Sequence, residues 1–283
     1  FKKPFVKKIL ESLYLLPIYR MRDGVKQLAN NQEIFEKCHI ILNKGETLMI
    51  FPEGTHDKKR TVRSLSKGFT RILFGALEKH KNLEITVVPV GITYQHTSHF
   101  PAKVTVNYGA PIATRALFET NPSAKAILIL KSAVSEQLKK LSVHIPDDEN
   151  YETVLQKLID AQVDFTAIDN VNEMIKNNAF PPKKAPKKDP LKALRFLIIL
   201  NTIIPFLLWK KTSKKIDEIE FIDTFRFSLS LVLCGLFYGL QSWIVSLFFG
   251  SIVGFFYLSV SALIILMYVK LAPTNAKKYT DVL

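Results

Sequence analysis

The chain has 283 residues, 48% of them hydrophobic, and a formal net charge of +14 at pH 7. Its lysines are spread over several segments, and no recognition-helix, RNA-binding or zinc-finger pattern accompanies them, which argues against a nucleic-acid partner. Long apolar runs occur only after residue 190, so we expect the positive charge to face lipid headgroups. The sequence thus predicts a globular domain over residues 1–145, a helical extension with a basic linker over 146–190, and a membrane region over 191–283.

The N-terminal elements alternate in type. Apolar residues at helical spacing predict a helix over residues 3–15, which Pro17 ends, and a second helix over residues 26–43, which Gly45 closes. The wholly apolar run at 47–51 predicts a buried parallel strand.

The alternation continues to residue 141. We predict a helix over 67–81, strands over 85–94 and 103–108, and a long helix over 122–141. This order predicts an α/β fold in which a central sheet is sandwiched by helices.

A polar extension precedes the membrane region. Residues 150–178 predict one or two polar-faced helices, and the proline and lysine residues over 181–190 predict a stiff basic linker against the headgroups. The apolar run 196–209 is short for a span and contains Asn201 and Pro205. We therefore expect a re-entrant or interfacial segment there.

Two transmembrane helices are predicted at about 226–248 and 251–269. Lysine and arginine residues flank both outer ends of this pair. By the positive-inside rule, both ends and the globular domain are then expected to face the cytoplasm.

Four short motifs carry the strongest functional signal. Residues 51–57 read Phe-Pro-Glu-Gly-Thr-His-Asp, and residues 16–20 read Leu-Pro-Ile-Tyr-Arg, with Asp-Gly following at 23–24. Lys-Gly stands at 67–68 and Val-Pro-Val-Gly at 88–91. In chain order, the motifs resemble the second block, the third block, the lysine-glycine pair that follows the third, and the fourth block of the glycerol-phosphate and lysophosphatidic acid acyltransferase family. The resemblance spans roughly residues 1–112. The resemblance also implies the family's sheet sandwiched by helices.

The resemblance implies transfer of an acyl group from acyl-CoA or acyl carrier protein to a glycerol hydroxyl. In the family, a His-x4-Asp motif supplies the general base, and we expect that motif upstream of Phe1. None of the six histidines printed here is followed by aspartate five positions on; His144 comes closest, with Glu149. No catalytic residue is therefore named in this chain, which by itself is expected to be inactive.

Two basic residues are candidates for binding the substrate phosphate. The resemblance places the family's phosphate-binding arginine at Arg20, and Lys67, before a predicted helix, is a candidate to assist. The alternatives are an exposed arginine at a strand end, with Arg22 in its place, and an ordinary surface lysine.

The loop after residue 52 supplies the other substrate-binding candidates, Glu53, Gly54, Thr55 and His56. Glu53 is a candidate to orient a substrate hydroxyl or to pair with the phosphate-binding arginine, and the alternative is a structural loop carboxylate. Gly54 would allow close approach of the backbone, or would be a simple turn glycine. His56 departs from the arginine found in many relatives and is similar to some glycerol-3-phosphate acyltransferases, which leans the acceptor toward glycerol 3-phosphate.

An acyl chain needs an apolar groove, since each buried methylene contributes about 0.8 kcal/mol. Phe51, Pro52 and Pro89 are candidates for an acyl channel or for structural roles. The apolar residues of the predicted helix 67–81 are candidates to line such a groove, with core packing as the alternative; they are Phe69, Ile72, Leu73 and Phe74.

The resulting expectation is a membrane-anchored acyltransferase of phospholipid biosynthesis in a bacterial inner membrane or endoplasmic reticulum, yielding lysophosphatidate or phosphatidic acid. We expect as its partners an acyl donor, a glycerol phosphate or lysophospholipid acceptor and the lipid bilayer. No metal site and no bound cofactor are expected. The alternatives are acylation of another lysophospholipid and a non-catalytic, membrane-anchored scaffold that binds lipid or phosphate.

Overall fold

The computed structural model describes most of the chain, namely residues 12, 14–16, 18, 31–55, 57–96, 101–216 and 222–276. Most of the predicted helix over residues 3–15 and the candidates Arg20 and His56 lie outside these residues. The chain divides into two compact units, of which the first comprises Phe1–Thr55, Val62–Val90 and Tyr108–Leu138 and the second His56–Thr61, Gly91–Asn107 and Lys139–Leu283. The predicted domain boundaries after residues 145 and 190 stay a prediction.

Helix α1 spans Asn31–Asn43 and ends in a glycine-based cap. Gly45 has a φ of +77°, and its N–H donates to the carbonyl of Leu42 at 3.0 Å, while the N–H of Glu46 donates to the carbonyl of Ile41 at 3.2 Å. This pattern requires a left-handed residue just after the helix, a conformation that glycine adopts without steric cost. The predicted closure at Gly45 is confirmed.

Residues 47–51 form an extended segment that packs on one side only. Leu48 and Ile50 contact the apolar clusters of the first unit, whereas Met49 and Phe51 are 81% and 72% exposed. Within the described part of the chain these residues belong to no β-ladder. The prediction of a buried strand is wrong here because a uniformly apolar run does not reveal which of its faces is covered.

The core of the first unit lies between α2, at Gly68–Lys79, and α4, at Ser123–Leu141, close to the predicted ranges. Each helix turns one apolar face inward, because its large apolar residues recur at three- and four-residue spacing. The buried residues of this core include Phe69, Leu73, Phe74, Leu77, Ala126, Leu130 and Val134.

Four short strands form two small sheets. Strand β1 (Thr86–Val87) pairs antiparallel with β4 (Ile112–Ala113), and β2 (Val90–Tyr94) pairs with β3 (Val104–Tyr108). A short helix α3 follows at Arg115–Thr120. In the described residues the fold is therefore mixed α/β with two-stranded sheets, and the predicted sheet sandwiched by helices is not confirmed. Sheet size depends on pairing between distant segments, which a local pattern does not specify.

Pro89 divides the predicted strand at 85–94 in two. Proline has no N–H to donate to a β-ladder, so β1 ends before Pro89 and β2 begins after it. Pro89 is buried, and its carbonyl accepts the N–H of Gly109 at 2.8 Å.

Helices α5 (Tyr151–Asp160) and α6 (Ile168–Lys176) form the core of the second unit, within the range where one or two helices are predicted. Phe165, in the turn between them, is fully buried. The buried amide of Gln95 crosses to this turn: it donates to the carbonyl of Val163 at 2.9 Å and accepts the N–H of Phe165 at 2.6 Å. Its satisfied hydrogen bonds offset the cost of burying the amide.

Arg60 is held against the same core. Its guanidinium donates to the carbonyls of Tyr94 at 2.8 Å and Gln95 at 3.0 Å, and it lies 3.8 Å from the centre of the Phe165 ring. The hydroxyl of Tyr151 accepts the backbone N–H of Arg60 at 2.8 Å. Burial lowers the pKa of Arg60 to about 10, although part of the residue remains accessible to solvent. Arg60 therefore ties the segment 56–61 to the helical extension.

The described residues contain two helices that are long and apolar enough to cross a membrane, α9 (Ile222–Phe249) and α10 (Ser251–Leu271). They are joined at Gly250, which has a φ of +87°. At Gly254 the two helices approach closely, because a Cβ built there would lie 2.7 Å from the carbonyl oxygen of Ser242. Small residues permit such close packing of helices in lipid.

The predicted re-entrant or interfacial segment is a bent helix pair, α7 (Lys192–Asn201) and α8 (Ile203–Ser213), with an angle of 89° between them. The two helices become a third candidate span only if the bent pair is counted as one. A straight span is excluded by this bend.

A cluster of polar side chains surrounds the bend. The Oδ1 of Asn201 accepts from the hydroxyl of Tyr257 at 2.7 Å and from Nε2 of Gln241 at 3.3 Å, and its Nδ2 lies 3.5 Å from the hydroxyl of Ser261. Gln241 also donates to the backbone carbonyl of Asn201 at 3.2 Å. Side chains of α9 and α10 thus form hydrogen bonds with polar groups that the break between α7 and α8 exposes.

Candidate active site

The loop that follows Phe51 is closed by two backbone hydrogen bonds. The N–H of Gly54 donates to the carbonyl of Phe51 at 3.4 Å, and the N–H of Ser66 donates to the carbonyl of Pro52 at 2.8 Å. Gly54 has a φ of +76°, which residues with a side chain adopt only under strain. Glycine at this position therefore serves the turn itself, and the second bond brings the start of α2 next to the loop.

Glu53 is bound by a residue that the sequence motifs do not include. Its Oε1 accepts the backbone N–H of Arg63 at 3.2 Å, and its Oε2 accepts from the Nη2 and Nε of Arg63 at 3.2 and 3.4 Å. The same guanidinium donates through Nη1 to the hydroxyl of Thr55 at 2.6 Å and through Nη2 to its carbonyl. The Arg63 guanidinium therefore holds the Glu53 carboxylate and Thr55 together.

This arrangement lies at the protein surface rather than in the core. The side chains of Arg63 and Glu53 are 23% and 32% exposed. Solvent therefore reaches the carboxylate, and a small polar ligand could approach it without unfolding the loop. The acceptance of the backbone N–H of Arg63 is what the alternative of a structural loop carboxylate predicts, whereas pairing with the phosphate-binding arginine and binding of a substrate hydroxyl stay predictions.

Lys67 stands at the amino end of α2, directly after the residue that bonds Pro52. Its ammonium group is exposed, while its carbonyl accepts the hydroxyl of Thr70 at 2.9 Å and the N–H of Arg71 at 3.1 Å. A helix amino terminus carries a partial positive charge that favours anions. The Glu53 loop and the cationic end of α2 are thus brought into one region of the first unit.

The other candidates are distributed as follows. Phe51 is largely exposed, Pro52 is half-buried and Pro89 is buried. The four apolar residues proposed as a groove or as core are all buried among core clusters, which favours core packing; they are Phe69, Ile72, Leu73 and Phe74. Arg20 and His56 lie outside the described residues.

The last glycine of the fourth motif has a packing role. A Cβ built on Gly91 would lie 2.3 Å from the carbonyl oxygen of Leu141, at the end of α4. Backbone atoms cannot yield to such a contact, so only glycine fits here. This residue holds the second unit together and does not by itself indicate a substrate contact.

The sequence does not single out Arg63, because the charged run 57–63 contains two arginines, Arg60 and Arg63. Nothing in the run itself shows that the two have different roles. A signal was available in the Glu53–Arg63 separation, but only a turn at Gly54 brings the two together. Within the described ranges, no three histidine, cysteine or carboxylate side chains converge in a way that could hold a metal ion.

The segment that contains this loop is similar to known proteins. The family model described as Acyltransferase matches residues 1–93. Glycerol-3-phosphate O-acyltransferase 2 and 1 of Saccharomyces cerevisiae are 23% and 27% identical over 152 and 142 residues, which are 52% and 48% of this chain and 19% and 18% of those proteins. A 1-acyl-sn-glycerol-3-phosphate acyltransferase of Cocos nucifera is 31% identical over 109 residues, 36% of this chain and 33% of that protein.

The chain thus spans about a fifth of the length of the yeast relatives and a third of the coconut one. No solved structure matches. The matched residues include the loop at 51–55, Arg63 and Lys67, so the geometry described above falls inside the family segment. Over residues 1–93, the chain is similar to the acyltransferase family, and relatives named as glycerol-3-phosphate and 1-acyl-sn-glycerol-3-phosphate acyltransferases support this family for the segment.

Proposed function

We propose that this protein transfers a fatty acyl group from acyl-CoA or acyl carrier protein to glycerol 3-phosphate or 1-acylglycerol 3-phosphate. The products are lysophosphatidate and phosphatidic acid, and the process is phospholipid biosynthesis. No bound cofactor is needed, because the acyl donor is already an activated thioester. The proposal rests on the family segment, on relatives named for these two activities, and on the loop geometry around Glu53.

In the proposed reaction, the acyl group moves from the sulfur of the donor thioester to the oxygen of the acceptor hydroxyl. The acceptor hydroxyl attacks the thioester carbonyl, a C–O bond forms, the C–S bond breaks, and the thiol of the donor leaves. The hydroxyl proton passes to a general base, which then returns it to the leaving thiolate, so that the donor is released as a free thiol. No histidine of the printed sequence has aspartate five positions on, so we name no base among these residues and expect them to be inactive without one.

The single observation that carries the proposal is the Glu53–Arg63–Thr55 arrangement. A carboxylate fixed on one side by a guanidinium keeps free lone pairs on a solvent-accessible side, and it is suited to accept a hydrogen bond from a glycerol hydroxyl. Lys67 and the amino end of α2 supply positive charge in the same region. Arg20, in the preceding motif, is proposed as the main ligand of the phosphate.

The acceptor that we favour is glycerol 3-phosphate. His56 and Asp57 after the Glu-Gly-Thr segment are similar to glycerol-3-phosphate acyltransferases, and the two yeast relatives carry that name. The bilayer is the proposed location, with the first unit on the cytoplasmic side of a bacterial inner membrane or the endoplasmic reticulum. The two apolar helices support membrane association.

The test compares acceptors in protein expressed from its native gene and reconstituted in bilayer discs. Glycerol 3-phosphate, lysophosphatidate and lysophosphatidylcholine are each supplied with acyl-CoA, and ester formation is measured. We expect Glu53→Gln to lower kcat/KM for the phosphate-bearing acceptor by about 10- to 100-fold, the loss of one charge-assisted hydrogen bond. Arg20→Ala should raise KM for that acceptor far more than KM for the acyl donor.

The matched control is Glu46→Gln, which makes the same change at an exposed glutamate outside the loop. It should leave kcat/KM unchanged. Preference for lysophosphatidylcholine would move the proposal to another lysophospholipid acceptor. Absence of ester formation with every acceptor would replace the enzyme with a non-catalytic scaffold that binds lipid or phosphate.

A further inference from the structure

The lysine-bearing linker is fixed at both ends onto the second unit. At its start, the backbone N–H of Lys184 donates to the carbonyl of Asp160, at the end of α5, at 2.8 Å. Further along, Asn275 brackets Lys187: its Oδ1 accepts the backbone N–H at 2.9 Å and its Nδ2 donates to the carbonyl at 2.8 Å. The linker therefore has a defined path that ends beside the last membrane helix.

A further bond joins the linker to that helix itself. The hydroxyl of Tyr268, in the last turn of α10, donates to the carboxylate of Asp189 at 3.1 Å. Asp189 is the only acidic residue among residues 181–190, and it also accepts the N–H of Leu191 at 2.8 Å. The one negative charge of the linker is thus turned toward the protein.

The lysine side chains of the linker, in contrast to Asp189, face solvent. Lys183, Lys184, Lys187 and Lys188 are all exposed. Lys183 pairs with Asp160 at 3.4 Å, whereas among the residues the structure describes the ammonium groups of Lys184, Lys187 and Lys188 form no ion pair. Four prolines restrict the backbone of the same ten residues, so little conformational entropy remains to be lost on binding.

The position of the linker along α10 determines which part of the bilayer these lysines can contact. Helix α7 starts just after the linker and runs beside α10 as far as Asn201, which lies close to Tyr257 and Ser261. Ten helical residues cover about 15 Å, half the thickness of a hydrocarbon core of about 30 Å. If the bend at Asn201 lies near the middle of the bilayer, the linker lies at its surface, at the level of the headgroups.

We propose that Lys184, Lys187 and Lys188 form a binding surface for the headgroups of anionic phospholipids. The fixed backbone presents three ammonium groups that have no ion-pair partner in the described part of the chain, at the level where lipid phosphates and carboxylates lie. The hydroxyl of Tyr268 keeps the linker's own carboxylate away from them. Basic segments next to a membrane helix attract anionic lipid in this way. The surface selects lipid around the protein whatever reaction the first unit performs.

The test measures lipid selectivity by spin-label electron paramagnetic resonance of the whole protein in phosphatidylcholine bilayers. Spin-labelled phosphatidylglycerol and phosphatidylcholine are compared by the fraction that the protein immobilises. We expect phosphatidylglycerol to be favoured at low salt and the ratio to fall by about twofold to fivefold when the three lysines are changed to glutamine. The ratio should also fall toward unity in about 1 M salt, where the Debye length is about 3 Å.

Three further variants separate a built surface from net charge. Changing the exposed lysines Lys44, Lys81 and Lys125 to glutamine removes the same charge from the first unit and should leave the ratio unchanged. Changing the three linker lysines to arginine should preserve it. Asn275→Ala retains all linker charges and should lower the ratio by releasing the linker from α10.

Two results would overturn the proposal. One is a ratio that stays the same in the triple glutamine variant. The other is an equal fall in the variant of the first unit, which would assign the selectivity to overall charge. Both readings are independent of acyl transfer, so failure here leaves the proposed reaction untouched.

Discussion

Arg60 and Arg63 stand three positions apart in one basic run and make opposite kinds of contact. Arg60 donates to main-chain carbonyls and lies against the ring of Phe165 in the second unit. Arg63, in the first unit, donates chiefly to the side chains of Glu53 and Thr55 at the surface. The first residue holds the fold, and the second shapes a candidate site. A run of like charges in a sequence therefore cannot be assigned one role.

The largest effect that tests this comparison is expected when the Arg60 side chain is truncated. We expect Arg60→Ala to lower the free energy of unfolding of the second unit by about 3 kcal/mol, because two carbonyls lose charge-assisted donors and a ring loses its cation. Amide hydrogen exchange in bilayer discs should show faster exchange at Gln95 and Phe165. Lys176→Ala, at an exposed lysine of the same unit, is the control. Unchanged exchange in the Arg60 variant would contradict the structural role.

Arg63→Ala sharpens the comparison from the functional side. We expect kcat/KM for the acceptor to fall about tenfold, since Glu53 loses the group that orients it, while exchange at Phe165 stays the same. In a double-mutant cycle with Glu53→Gln, the two losses should not add, because both variants break the same pair. Fully additive losses would show that Arg63 acts without Glu53.

The bend at Asn201 extends the comparison to polar side chains between apolar helices. Gln241→Leu removes two hydrogen bonds to Asn201. We expect the free energy of unfolding to fall by about 0.6–1.7 kcal/mol, from the average to the largest value for hydrogen bonds between membrane helices. Thermal unfolding in detergent micelles measures it, with Leu240→Ala at an exposed neighbour as the control. A more stable Gln241→Leu protein would show that the cluster does not hold the bend.

His39 tests the smallest effect, that of a buried basic group without a hydrogen-bond partner. Burial lowers the pKa of His39 from its usual 6.5, and this effect outweighs the opposite effect of the Glu36 carboxylate, whose Oε2 lies 3.8 Å from Nδ1. Neither ring nitrogen has a hydrogen-bond partner among the described residues. The folded protein therefore favours the neutral ring. The contribution of this neutral ring to the free energy of unfolding is fully present above pH 6.5 and is lost as the pH falls below that value. The melting temperature of wild type should fall more than that of His39→Leu between pH 7.5 and 5.5. Parallel pH curves would contradict this reading.

Sequence patterns located the features that depend on neighbouring residues. Glycines end α1 at Gly45 and turn the hairpin at Gly250, because each supplies a positive φ that its own position requires. The polar residue Asn201 within an apolar run marks a bend in place of a span. The break at Pro89 was not predicted, although proline lacks the N–H that a strand needs at that position. In each case the physical cause lies in the residue itself.

Features that depend on distant residues were not predicted. The segment 47–51 is extended but unpaired in the described part of the chain, because strand formation needs a partner that the run does not name. Phe69, Ile72 and Leu73 have the three- and four-residue spacing of an apolar helix face, which is the same for a core and for a groove. The pairing of Glu53 with Arg63 depends on the turn at Gly54, so it became visible only in three dimensions.

The most direct test of the central claim follows the acyl group itself. Protein expressed from its native gene is incubated in bilayer discs with isotopically labelled acyl-CoA and glycerol 3-phosphate, and the lipid products are identified by mass spectrometry. We predict labelled lysophosphatidate in wild type and in Glu46→Gln, and about 10- to 100-fold less in Glu53→Gln. Equal amounts of labelled product in Glu53→Gln and wild type would contradict the assignment of this loop to the acceptor site.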